Sequence, residues 1–160
     1  MAEALAAIGV LASLTQLADY GLKLSIKLFT FGEAVSNADK SIKNLSNEVS
    51  LTSAVLKELE SILRSEGAQY VSERAVEATE KTVQECFEVY NQLNKLLEKI
   101  LGEGNSERQE SLFKIKTLDK IKWPFLQPKF DLQRANLDRL KASLALMLQV
   151  LVYAKDISNQ

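Results

Sequence analysis

Histidine is missing altogether from this chain of 160 residues, and cysteine occurs once, as Cys86. Without histidine there is no imidazole to act as a general base near neutral pH, to ligate a metal, or to activate a Ser or Cys nucleophile. A single cysteine cannot close an internal disulfide. Cys86 falls inside a helical apolar repeat, where a buried, inert thiol in a reducing compartment is the expectation. Glycine is scarce at 6 residues, and Gly102 and Gly104 lie in Gly-Glu-Gly-Asn-Ser without the Lys-Ser/Thr of a phosphate-binding loop. These absences point away from an enzyme and from any cofactor or metal. Runs of β-branched residues and two-residue hairpin turns are also missing, so no strand pattern emerges. A formal charge of −1 excludes a generally basic coat for polyanions, and no nucleic-acid-binding module is visible.

What is present is a foldable, helical composition. Hydrophobic residues make up 46% and charged residues 26%, too apolar a mixture for disorder and enough for one core, so residues 1–160 are expected to form a single domain. Apolar side chains recur every three or four positions in three segments, as a helix that buries one stripe requires. Val35, Ala38, Ile42, Leu45, Val49, Thr52, Leu56, Leu59 and Leu63 form the first, which stops at Ser65-Glu66-Gly67. Val76, Thr79, Val83, Cys86, Tyr90, Leu93, Leu97 and Ile100 form the next, with Ser72 as its N-cap and Gly102 as its stop. Its expected partner is the helix before it. Phe130, Gln133, Leu137, Leu140, Leu144, Met147, Leu151 and Ala154 form the last, which is expected to start afresh near Pro128, because Pro124 and Pro128 should interrupt a continuous helix. Between these, residues 102–112 read as a polar linker, and Leu112 to Trp123 as a short amphipathic helix through Ile115, Leu118 and Ile121.

The N-terminal segment, residues 1–31, is different. From Ala4 to Ala18 it carries no charge, and Leu5, Ile8, Val10, Leu11, Leu14 and Leu17 spread around the helical wheel more widely than one stripe needs. Beyond Asp19 it becomes amphipathic, with Tyr20, Leu24, Leu28 and Phe31 on one face and Asp19, Lys23 and Lys27 on another. A signal peptide would need a basic start where Glu3 stands. A span of about 15 uncharged residues rises only about 22 Å, short of a hydrocarbon core of about 30 Å. Two uses remain open: a helix buried in the bundle, and a helix that leaves the bundle for lipid. The expected fold is therefore an all-α, up-and-down bundle of four long helices plus a short helix before the last.

Charge is uneven along the chain. Lys114, Lys116, Lys120, Lys122, Lys129, Arg134, Arg139 and Lys141 make residues 112–143 basic, whereas residues 48–110 are acidic in excess. The basic segment can attract anionic headgroups or pair with the acidic helices beside it. Trp123 and Phe125 beside Pro124 read either as core filling at a helix break or as an aromatic interface anchor.

Ile-Lys-Trp-Pro-Phe-Leu-Gln-Pro-Lys-Phe from Ile121, then Asn136-Leu-Asp-Arg-Leu-Lys and Leu146-Met-Leu-Gln-Val-Leu, together with the opening Met1-Ala-Glu-Ala and its uncharged helix, resemble the HeLo-like N-terminal domain of fungal NLR-type (STAND) receptors. That family is related to the HeLo domain of HET-S-type incompatibility proteins and, more distantly, to the four-helix bundle of MLKL-type necroptosis effectors. The resemblance implies a cell-death execution domain that permeabilises membranes through its N-terminal helix once oligomerised. The resemblance also implies that the domain rests in the cytoplasm and moves to the plasma membrane on activation. It further implies Leu5, Ile8, Val10, Leu11, Leu14 and Leu17 as the inserting side chains, and Lys114, Lys116, Lys120 and Lys122 as the contacts to anionic lipid. The implied partners are anionic membrane lipids, further copies of the chain, and a receptor or amyloid-signalling protein upstream. The rival expectation is a non-lytic adaptor that self-associates within a receptor.

Overall fold

The computed structural model describes residues 2–34, 39–65, 73–101 and 123–158, with side chains for 8–33, 40–65, 74–99, 124–154 and 156–157. The described residues form four helices and no strand. They are α1 (Ala2–Ala34), α2 (Asp39–Arg64), α3 (Glu73–Leu101) and α4 (Trp123–Ser158). Val35, Ala38, the Ser72 cap, the 102–112 linker and residues 112–122 of the expected short helix lie outside the described residues, and Trp123, its expected last residue, instead begins α4.

The periodic stripes become the core. Ile42, Leu45, Val49, Thr52, Leu56, Leu59 and Leu63 of α2 are buried, as are Thr79, Val83, Cys86, Tyr90, Leu93 and Leu97 of α3 and Phe130, Leu137, Leu140 and Leu144 of α4. Along α4 the burial then fades, and Met147 and Leu151 only pack against the core's edge. Thr52 and Thr79 fit among these apolar neighbours because each hydroxyl donates to the carbonyl one turn back, of Glu48 and Ala75, at 2.8 Å in both cases. Burial pushes the Cys86 thiol up to about 12, which leaves it protonated and unreactive.

Helix neighbours differ from the sequence expectation. α3 packs against α1 and α4 rather than chiefly against α2, and α2 likewise lies between α1 and α4. α2 and α3 therefore face each other across a diagonal, and so do α1 and α4. The reason lies at two crossings. Phe31 of α1 and Phe130 of α4 stack across one diagonal with ring centroids 6.0 Å apart. Across the other, Ser53 of α2 and Tyr90 of α3 meet over Gly21 of α1. A Cβ at Gly21 would stand 1.9 Å from the Ser53 Oγ and 3.0 Å from the Tyr90 ring and hydroxyl. Only glycine lets all three helices converge there.

This convergence leaves two buried hydroxyls, Ser53 Oγ and Tyr90 OH, without a hydrogen-bond partner. They are close enough for Ser53 to draw the Tyr90 phenol down slightly against the burial that pushes it up, but their geometry falls short of a bond. Gly21→Ala is expected to destabilise the bundle, since overpacking of about 1–3 kcal/mol exceeds the helix-propensity gain of about 1 kcal/mol. In a Ser53→Ala background the nearest clash is gone and an unsatisfied hydroxyl with it, so the same substitution should become neutral or stabilising. Urea unfolding of the four proteins measures the coupling, and additive effects would place the conflict elsewhere.

The start of α4 also differs from expectation. The helix begins at Trp123 and runs through both prolines. Pro124 sits in the first turn, whose N–H groups have no intrahelical acceptor in any helix, so its missing donor matters little. Pro128 removes one bond, to the Pro124 carbonyl, and both prolines are exposed, so that carbonyl can be hydrated. Phe125 is 77% exposed, which rules out core filling for this ring.

Candidate membrane-contacting site

The uncharged part of α1 is a core helix with one open edge. Val10, Leu14, Leu17 and Ala18 are buried and Leu11 packs partly against the core, while Ile8 is 62% exposed and Gly9 and Ala12 are open to solvent. The side chain of Leu5 lies outside the described residues. Of the six apolar residues that the family resemblance marks for insertion, three are thus buried in the bundle and one, Ile8, is presented. No helix among the described residues is long and apolar enough to cross a membrane.

Polar contacts hold α1 in place along its length. Near its start, Arg64 of α2 donates to the Thr15 hydroxyl at 3.3 Å and pairs with Glu60 at 2.9 Å. At its middle, the Tyr20 hydroxyl donates to Asn91 Oδ1 at 2.9 Å, and the Tyr20 ring lies 5.7 Å from that of Tyr90. Burial, reinforced by the nearby Glu98 carboxylate, raises the Tyr20 phenol above its ordinary value. Further on, the buried Ser46 hydroxyl of α2 donates to the Ser25 carbonyl at 2.7 Å.

Two of the described basic residues of α4 pair with the acidic helices. Arg139 meets Glu85 of α3 at 3.4 Å, and Lys141 pairs with Glu48 of α2. Lys114, Lys116, Lys120 and Lys122 lie outside the described residues.

Glu48 also faces Asp138. The hydrogen bond from Lys141 holds Glu48 below the usual carboxylate range, whereas desolvation, followed by the Glu48 carboxylate, raises Asp138. A raised acid binds its proton more tightly in the fold. Its stabilising contribution is present below the unfolded value and is lost as pH rises through the folded one. At neutral pH the Asp138 charge therefore works against the bundle. Asp138→Asn is expected to raise the thermal midpoint at pH 7 and to leave it nearly unchanged at pH 3. The gain should be small because the group is largely exposed and screened.

Sequence periodicity missed a second apolar feature at the same end of the bundle. Leu146, Val150, Tyr153 and Ile157 of α4 follow the three-and-four spacing one step round from the core stripe, yet they are 62%, 59%, 68% and 52% exposed. From Ala142 to Ala154 the helix carries no charge. The signal was available in that uncharged run, but the stripe through Leu144, Met147 and Leu151 absorbed it. Beside the exposed stripe opens a cavity of about 260 Å³, lined by Val10 of α1, Leu63 of α2, Val76 and Thr79 of α3, and Met147 and Leu151 of α4. Among the described residues, no three His, Cys, Asp or Glu side chains gather where they could hold a metal.

The described residues form a bundle of four helices with one apolar end. Compared with known protein families, with curated proteins and with solved structures, the chain matches none.

Proposed function

We propose that the chain is an up-and-down, HeLo-like bundle that executes cell death by permeabilising membranes through α1 after oligomerisation. In this reading it rests in the cytoplasm and acts at the plasma membrane, where Lys114, Lys116, Lys120 and Lys122 engage anionic headgroups. A receptor or amyloid-signalling partner supplies the enforced proximity. The reading is carried by the uncharged run from Ala4 to Ala18, whose open edge of Ile8, Gly9 and Ala12 has the small and apolar character that lets helices associate within lipid. Too short to span alone, such a helix gains from neighbours that cover its backbone. The buried Val10, Leu14 and Leu17 favour the rival, an adaptor in which α1 never leaves the core.

The two are separated by dye release from anionic vesicles, with the chain fused to an oligomerising tag. Ala12→Glu places a charge on the open edge, so the soluble fold should survive. On insertion it costs about 2.5–3.5 kcal/mol per copy at mid-bilayer. The expected result is rapid release by the oligomerised wild type, none by the untagged chain, and near-complete loss in Ala12→Glu. Equal release by wild type and variant would remove α1 as the active element. No release by the oligomerised wild type would favour the adaptor.

A further inference from the structure

We propose that the apolar end of the resting bundle is a landing site on lipid, where the exposed face of α4 lies against the bilayer surface and the adjoining cavity takes one lipid acyl chain. This deepens the membrane reading above but assigns the first contact to α4, with α1 still in the core. The cavity has no free polar group to satisfy. Its one hydroxyl, on Thr79, already donates to the Ala75 carbonyl at 2.8 Å and lies 3.7 Å from the Met147 sulfur. Its occupant must therefore be apolar where it enters. At about 260 Å³ it is somewhat smaller than a typical small-molecule pocket, which suits a single slender chain.

What stands outside the cavity selects lipid over a second copy of the chain. Leu146 and Val150 belong both to the cavity lining and to the exposed stripe, so a chain inside and a surface outside would be continuous. A helical partner is oriented by charges flanking its apolar seam. Along most of this seam the flanking residues, Met147, Gln149 and Ala154, carry none, and a flanking charge, Asp156, comes only in its last turn. A bilayer needs no such register. Arg139 and Lys141 precede the stripe, the next charges in the sequence are Lys155 and Asp156 in its last turn, and Tyr153 just before them is the kind of ring that settles at the lipid–water boundary. The end of the bundle is thus apolar where it would meet hydrocarbon and charged where it would meet headgroups.

The intact, untagged chain tests this with neutral phosphatidylcholine vesicles at high salt, where headgroup attraction is screened. Cosedimentation without leakage is expected, and Val150→Asp, at an exposed position that should not disturb the fold, is expected to weaken it by about tenfold or more. Chain entry is read at Met147, which with Met1 makes up the whole methionine content, so methyl labelling of methionine gives two signals. In phosphatidylcholine bicelles containing a lipid spin-labelled near the end of one acyl chain, the Met147 signal should broaden. Ala78 of α3 also lines the cavity, and Ala78→Phe, which narrows it, should restore the signal. Wild-type binding that Val150→Asp leaves unchanged, or a Met147 signal untouched by bound lipid, overturns the proposal. So does a chain that ignores vesicles and forms a dimer that Val150→Asp dissociates. If release by the oligomerised chain fails while this binding holds, the lytic function falls and the landing site stands. If binding fails while release holds, the reverse is true.

Discussion

Leu56→Ala and Leu144→Ala should each lower the free energy of unfolding by about 2–5 kcal/mol, through lost burial and the cavity left behind. Both side chains are completely buried, Leu56 on α2 and Leu144 on α4. These two helices pack directly on each other, so neither site can collapse without disturbing its neighbour. Total stability of a domain this size is about 5–15 kcal/mol, which makes either loss a large fraction of the whole. Denaturant melts give the numbers. Losses below about 0.5 kcal/mol at both positions would contradict fully packed surroundings. Leu146→Ala is the matched control, since it removes the same atoms from an exposed position two residues along the same helix.

That contrast between Leu144 and Leu146 shows where the sequence was legible. Three-and-four spacing located three of the four helices and most of their core residues, because burial of one stripe leaves that periodicity directly in the chain, and the uncharged run marked the fourth. It failed where two stripes run side by side. On α4, Met147 and Leu151 continue the core stripe in sequence but lie only at its edge, and the apolar residues beside them face outward. Periodicity reports that a face is apolar, not what covers it. The start of α4 was misplaced for a different reason. Proline was weighed as a helix breaker, whereas the first turn tolerates it and an exposed second turn can do without one bond.

The pairing of helices was not legible at all. It depends on Gly21, Ser53 and Tyr90, which lie far apart in the chain and stand out in no motif. Gly21 interrupts no helix and caps none. Its role appears only when the Ser53 hydroxyl is found where a Cβ would be. The candidate site was half legible in the same sense: the uncharged run from Ala4 to Ala18 was plain, but its division into a buried stripe and an open edge is set by α2 and α3.

Removal of residues 1–18 should unfold the bundle rather than merely disarm it, and this bears directly on how the role of α1 is tested. The deletion takes Val10, Leu14, Leu17 and Ala18 out of the core. At about 1.5–3 kcal/mol for each of the three larger side chains, the loss is about 5–9 kcal/mol, as large as the whole stability of many domains. It also uncovers the apolar surface of α2 and α3, which α1 overlies. Circular dichroism of the shortened chain is expected to show reduced helix content and no cooperative thermal transition, and apolar dyes that bind exposed cores should fluoresce with it. Absence of membrane leakage from such a protein would then carry no information about insertion. Ala12→Glu and Ile8→Glu avoid the difficulty because both positions are open in the resting bundle. They should melt within a few degrees of wild type, so a loss of leakage in them speaks to the membrane step alone. A shortened chain that instead melts cooperatively near the wild-type temperature would mean that α1 up to Ala18 is only loosely held. Release of that helix into lipid would then require far less energy than its burial suggests.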